Sequence, residues 1–312
     1  MVGWGKNKSG TQRYRCSLCQ ETHTSSKLVL RRPHFASFKL WISKSTTIES
    51  LSERKGCNVS RSTLRRYFYE YLEHPPQPEK LLEPEEVWIK VDGKYFGHWG
   101  CAILAKSSEK IILSDFVVRE NFFVYSRIFA QIKELGYTPL GLTSDWHGSI
   151  VSAFTQHFPD LPHQRCLVHT QRFCESLLTR NPETYAGREL LELVKFLNQI
   201  KTPYERDLWL FSFRKWEERY SEFVNQRSRG EGRSWWYTHR NLRRVYRSLK
   251  GTLWHLFLYL EYPGLAKDTN GLEAENKHLN QKIGVHNGLT KKRKEAFVKW
   301  YFYLKSKTNS ED

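Results

Sequence analysis

An α/β fold is what this 312-residue sequence predicts, and three observations predict it. Short runs rich in β-branched and aromatic residues, separated by turn residues, follow one another between 87 and 118. From 121 to 158 the period switches to helix, then strand, then helix. Helical patterns dominate most of the remainder, and the 39% of hydrophobic side chains can bury at least one full core spread over two or three modules.

The charge points to a polyanion. Lys and Arg number 50 against 33 Asp and Glu, a formal net charge of +17, and nucleic acid, double-stranded DNA among the possibilities, is the first partner such a balance suggests. No apolar run approaches the roughly 18 residues of a membrane span and no signal peptide is read, so no membrane partner and a cytoplasmic location are expected. Of six cysteines only Cys16 and Cys19 stand at a metal-knuckle spacing; Cys57, Cys101, Cys166 and Cys174 are scattered, which predicts reduced thiols.

Residues 1–34 open the chain with a basic hairpin pattern ahead of Cys16 and Cys19, the second half of a zinc ribbon. A complete ribbon needs another Cys pair, so the expected Zn²⁺ site is incomplete: the sequence is truncated, starts at another Met, or carries a degenerate ribbon. A basic arm with two thiols is the plainer alternative. In 35–74, Ile48, Leu51 and Ser52 begin a short helix, Gly56 breaks it, and Ser60 is placed to cap a second helix whose buried side is Val59, Leu64 and Phe68. This is a helix-turn-helix pattern, with Arg61, Arg65 and Arg66 facing outward as candidate DNA contacts; any short helical hairpin with a basic face reads alike. Four prolines make 75–86 a linker.

The core begins at 87. Strands are expected at 87–96, 99–105 and 111–118, a helix at 121–135, a strand at 139–144 and a helix at 149–158. Three antiparallel strands followed by alternating helix and strand is a ribonuclease-H-like order, assigned here to 87–170 as its first part. Asp92 lies inside the first strand between Val91 and Gly93, and Asp145 leaves the fourth. Carboxylates embedded in apolar strands are costly to desolvate and repel one another unless cations neutralise them, which points to Mg²⁺ or Mn²⁺.

Residues 171–265 read as a mostly helical insertion, with helices at 190–200, 204–220, 235–250 and 252–260. Arg227, Arg229, Arg233, Arg240, Arg243, Arg244 and Arg247 make its middle basic, interleaved with Trp235 and Trp236; this suits a DNA clamp, or a solvated helical face with core tryptophans. A final segment, 266–312, carries the expected third acid, Glu273, on a helix capped by Thr269 or Asn270. Glu273, Lys277 and Asn280 share its polar face, Leu272, Leu279 and Ile283 an apolar one, and Glu275 is expected roughly opposite Glu273. Lys277, Asn280 and Lys282 are candidate DNA-holding residues. Cys166 and His169, at i, i+3, are expected to be structural or to position DNA, since two ligands do not complete a zinc site.

The runs VDGKYF, TSDWHGS, CLVH and TNGLEAENKHLNQK occur in that order. They resemble the catalytic blocks of bacterial insertion-sequence transposases of the Mutator-like DDE superfamily, particularly its zinc-binding variant branch, over residues 87–303. The resemblance implies a DDE transposase that cleaves and rejoins DNA at insertion-sequence ends, with Asp92, Asp145 and Glu273 as the triad holding two Mg²⁺ or Mn²⁺ ions. It matches Cys166 and His169 to a Cys-x-x-His signature. It implies transposon-end and target DNA as partners, a homo-oligomer when bound to DNA, and a bacterial, nucleoid-associated location. The missing first Cys pair departs from the pattern. The alternatives are a nuclease without strand transfer and a catalytically inactive or domesticated DNA-binding protein derived from a transposase.

Overall fold

The computed structural model describes residues 2–6, 12–15, 17, 22–24, 34–54, 57, 59–232, 234–286 and 288–308. The fold is mixed α/β and divides into two units, Met1–Pro76 with Gln281–Leu304, and Gln77–Asn280 with Lys305–Asp312. The division between 76 and 77 falls in the proline-rich segment, where 75–80 has neither helix nor strand. Residues 281–304, grouped above with the core, belong to the first unit.

In the first unit, β1 (Val2–Lys6), β2 (Gln12–Arg15) and β3 (Thr22–Thr24) form an antiparallel three-stranded sheet. Cys16 and Cys19 lie outside the described residues, and the expected zinc site with them. Three helices follow: α1 (Phe35–Ser43), α2 (Ile48–Ser52) and α3 (Arg61–Glu73). Thr47 caps α2 by accepting from the Ser50 amide, and Ser60 caps α3 by accepting from the Thr63 amide. Leu64 and Phe68 of α3 are fully buried with Phe38 and Trp41 of α1, while Arg61, Arg65 and Arg66 are exposed. The helix Lys291–Thr308 contributes Phe297 and Trp300 to this core, and the Trp300 indole donates to the Tyr71 carbonyl at 2.9 Å.

A five-stranded sheet organises the second unit. β4 (Glu85–Tyr95), β5 (Cys101–Lys106) and β6 (Ile111–Val117) are antiparallel neighbours. After α4 (Phe122–Glu134), β7 (Tyr137–Ser144) returns parallel to β4; after α5 (Gly148–His157), β8 (His163–Arg165) pairs parallel with β7. The order is therefore β6-β5-β4-β7-β8. Each strand and helix read from the sequence between 87 and 158 is present, shifted by a few residues at most. Val87, Ile89 and Val91, at alternate positions of β4, face Tyr125, Ile128, Phe129, Ala153 and Phe154 of the two helices in one apolar core. The opposite face carries Trp88, Lys90 and Asp92.

The insertion packs its own core. It comprises α6 (Leu167–Leu178), α7 (Tyr185–Phe196), α8 (Pro203–Val224), a hairpin of β9 (Arg227–Arg229) and β10 (Trp235–Tyr237), and α9 (Arg240–Lys250). Trp209, Phe213 and Trp216 of α8 are buried against Leu190, Val194 and Tyr246. The helix expected over 235–250 starts only at Arg240, and its first turns are instead a strand. Pairing with 227–229 accounts for the difference, and cation–π contacts accompany it: the Arg227 guanidinium lies 4.2 Å from the Trp235 ring across the hairpin, and Arg243 of α9 lies 3.6 Å from the Tyr237 ring. Trp235 and Trp236 are 48% and 44% exposed, so these two tryptophans are not core residues. Two 3-10 turns occupy most of the stretch expected as a helix at 252–260. The last helices are α10 (Asn270–Gly284) and α11, the Lys291–Thr308 helix. Among the described residues no helix is long and apolar enough to cross a membrane.

Candidate active site

Asp92 is 5% exposed on the face of β4 away from the α4–α5 core. The parallel pairing of β4 with β7 sets Lys90 opposite Thr143, so two residues further on Asp145 stands level with Asp92. Asp145 sits where β7 ends, its carboxylate accepting from the His147 amide at 2.9 Å. Between them Trp146 takes a left-handed backbone conformation, φ 70°. Its indole is packed between the tilted rings of His163 and His255, at 4.7 and 4.4 Å. Burial pushes the His163 imidazole down to about 3 and lowers that of His255, which favours the neutral form of both rings.

Helix α10 covers the Asp92 face of the sheet. Leu272 and Leu279 are fully buried, and Asn276 directs its amide nitrogen to the Asp92 carboxylate at 3.5 Å. The Asn276 carbonyl oxygen is buried without a hydrogen-bond partner among the described residues. Glu273, one turn earlier, accepts from Arg172 of α6 at 2.5 Å and lies 3.5 Å from the His169 ring. Lys277 and Asn280 are exposed on α10; Lys282, half-buried, donates to Ser45 at 3.0 Å. Glu275 faces another way, as expected, but is only 8% exposed and ion-paired with both Lys106 of β5 and Lys305.

Cys166 and His169 form a small knot. The Cys166 sulfur lies 3.3 Å from His169 Nδ1 and accepts from both the amide and the hydroxyl of Thr269 at 3.4 Å. The Cys166 amide donates to the Ser144 carbonyl at 2.7 Å. The knot therefore ties the end of β7, the start of α6 and the start of α10 together, and Thr269 spends its hydroxyl there. Burial pushes the Cys166 thiol up, which suits a hydrogen-bonding sulfur better than a thiolate ligand.

Burial is the main reason that the Asp92 carboxyl is raised to about 7, and Asp145, Glu273 and Glu120 raise it further, while His169 opposes them. Asp145 and Glu273 are thus each within electrostatic reach of Asp92. Among the described residues, no three His, Cys, Asp or Glu side chains stand in metal-ligating geometry.

Sequence reasoning missed Glu120, Arg172 and Asn276. Asn276 was legible, since it stands at i+3 from Glu273 on the same helical face. Arg172 likewise stands at i+3 from His169. Glu120, in the loop between β6 and α4, carries no local signal. The chain matches no protein-family model, and no curated protein is significantly similar to it.

Proposed function

We propose that this protein is a DDE transposase: a ribonuclease-H-like core that cleaves DNA at transposon ends and joins the freed 3′ end to target DNA. One observation carries the reading. Two aspartates stand level at neighbouring parallel strands in the order β6-β5-β4-β7-β8, beneath a helix whose Glu273 acts electrostatically on the first of them.

The chemistry of these side chains, though not their present spacing, suits divalent cations. The Asp92 carboxyl, raised to about 7, is only about half ionised at neutral pH without positive charge beside it, and the Asn276 oxygen, unpartnered among the described residues, is a hard donor next to it. Asp92, Asp145 and Glu273 would hold Mg²⁺ or Mn²⁺, which supplies Lewis-acid activation of water or a 3′ hydroxyl and stabilises the leaving oxygen. Arg172 holds Glu273, and the Cys166–His169–Thr269 knot orients the start of α10. Arg61, Arg65 and Arg66 on α3 suit a DNA groove or backbone, and the Arg227–Trp235–Trp236 hairpin suits exposed bases.

A second reading, a DNA-binding protein derived from a transposase that no longer cuts, is favoured by the Arg172–Glu273 pair and by the lack of a three-carboxylate ligand set among the described residues. One assay separates the two: cleavage and joining of labelled DNA from the ends flanking the gene, with Mg²⁺ or Mn²⁺, alongside binding on the same preparations. Asp92→Asn, Asp145→Asn and Glu273→Gln should each lose both reactions and keep DNA binding. A wild type that binds but never cleaves supports the second reading. Triad variants that cleave normally overturn the first.

A further inference from the structure

Helix α8 is apolar on two faces, and the insertion's core takes up only one of them. Trp209, Phe213 and Trp216 are buried in that core. Their indoles pin α8 to α7: Trp209 donates to the Leu193 carbonyl at 2.8 Å and Trp216 to the Ala186 carbonyl at 2.9 Å. At 3.6 residues per turn, Tyr204, Leu208 and Phe211 fall on nearly the opposite side, and they are 71%, 50% and 60% exposed. Phe196, at the end of α7, is 54% exposed. With Lys215 and Ser212 it borders a groove of about 290 Å³ between α7 and α8. Single exposed apolar residues are ordinary, whereas a row of them along a pinned helix is a surface.

The row has the spacing of a helix seam. Tyr204, Leu208, Phe211 and Lys215 follow at steps of four, three and four, the alternation that keeps side chains in line on one helix face. Charge runs along it with a direction: the exposed Asp207 flanks its first half, and the exposed Arg214 and Lys215 stand at its second. Turned end for end, the row therefore complements itself. With two copies of α8 antiparallel about a two-fold axis between residues 209 and 210, Leu208 falls against Phe211 and Tyr204 against Lys215. Asp207 then comes opposite Arg214, and every contact occurs twice. A parallel pair would instead leave Asp207 level with Asp207 and Arg214 level with Arg214. In the single chain Asp207 pairs with Arg206 and Lys215 with Glu218, surface pairs that cost little to exchange.

We propose that the exposed face of α8 is a homodimer surface, an antiparallel helix pair in which Tyr204 of each copy covers the mouth of the other's α7–α8 groove. The direction of charge along the row is what selects a second copy of this chain as the occupant. The proposal stands apart from the transposase reading, and either can fail without the other.

Sedimentation velocity of the full chain without DNA, from about 1 to 100 µM, tests it. Wild type should pass from monomer to dimer across that range and stop there, because a two-fold contact closes on itself. Leu208→Glu should weaken the dimer by about a hundredfold or more. Its melting temperature at the lowest concentration should match wild type, since the position is exposed in the single chain. If Leu208→Glu does not fold, Phe211→Ser is read in its place. Asp207→Arg and Arg214→Glu should each weaken association by roughly threefold or more, and the two together should restore it. A wild type that stays monomeric, one that grows into ever larger species, or a Leu208→Glu that dimerises as wild type does would each overturn the proposal. A double charge variant no stronger than either single one overturns the antiparallel pairing.

Discussion

Asp92 is stabilised by folding only when it carries its proton. Its carboxyl is raised from 3.8 to about 7, so the native state binds that proton more tightly than the unfolded chain does. The contribution is complete below about pH 4 and is lost as pH rises through 7. Asparagine at this position cannot ionise, and it mimics the protonated acid. Asp92→Asn should therefore match wild-type stability near pH 4 and exceed it at pH 8 by up to about 4 kcal/mol. Denaturant unfolding in chelator at the two pH values measures this, and an equal gain at both would contradict it. The same comparison with Mn²⁺ present should reverse the pH 8 result, because the cation stabilises only the carboxylate form.

On the scale of single elements, α10 does two jobs with neighbouring glutamates. Glu273 looks toward Arg172 and the aspartates, whereas Glu275 is enclosed between Lys106 and Lys305. The helical phase of Glu275 differs from that of Glu273, which by itself would make it an inert control. The enclosure removes that role: Glu275→Gln leaves two lysines facing an uncharged amide and should cost on the order of 3 kcal/mol, seen as a lowered Tm. A Tm unchanged from wild type would show that the two ion pairs contribute nothing. Helical phase was legible in the sequence, but the two lysines that close around Glu275 come from residues 106 and 305, so no local pattern signals them. The same distinction runs through the whole fold. β4 was legible because Val87, Ile89 and Val91 alternate, and Asp92 and Asp145 because each interrupts or ends such a strand. The hairpin at Trp235 was not, since a helical reading of its residues is locally sound and only pairing with 227–229 decides against it. Glu120 was invisible for a similar reason: the partner that places it, Cys101, lies on another strand.

For the molecule as a whole, a net charge of +17 favours nonspecific attraction to any polyanion, so on the proposed function affinity for DNA alone would say little about how it is held. Salt dependence says more. Arg65 and Arg66 are exposed, and Arg61 is tied only to the exposed Glu49, a pair worth little at the surface. Changing Arg61, Arg65 and Arg66 to Ala together should weaken binding to transposon-end DNA and flatten the slope of log affinity against log salt by up to about 2.7, one phosphate contact per arginine. An unchanged slope would place the DNA contacts elsewhere.

The acids that meet around Asp92 also enter the chain at widely separated moments. Asp92 belongs to the meander β4–β6, and Asp145 follows one crossover later. Glu273 is made only after the whole insertion, whose apolar cluster closes by itself in the meantime. Vectorial synthesis thus yields first a sheet with exposed carboxylates, next a sealed helical body, and only near the end the helix that covers them. A ribosome-bound chain would hold an unfinished centre through most of its translation. Competence to cut, on the proposed function, would be acquired with the last elements made, and the N-terminal helices wait for the same segment, since Phe297 and Trp300 complete their core.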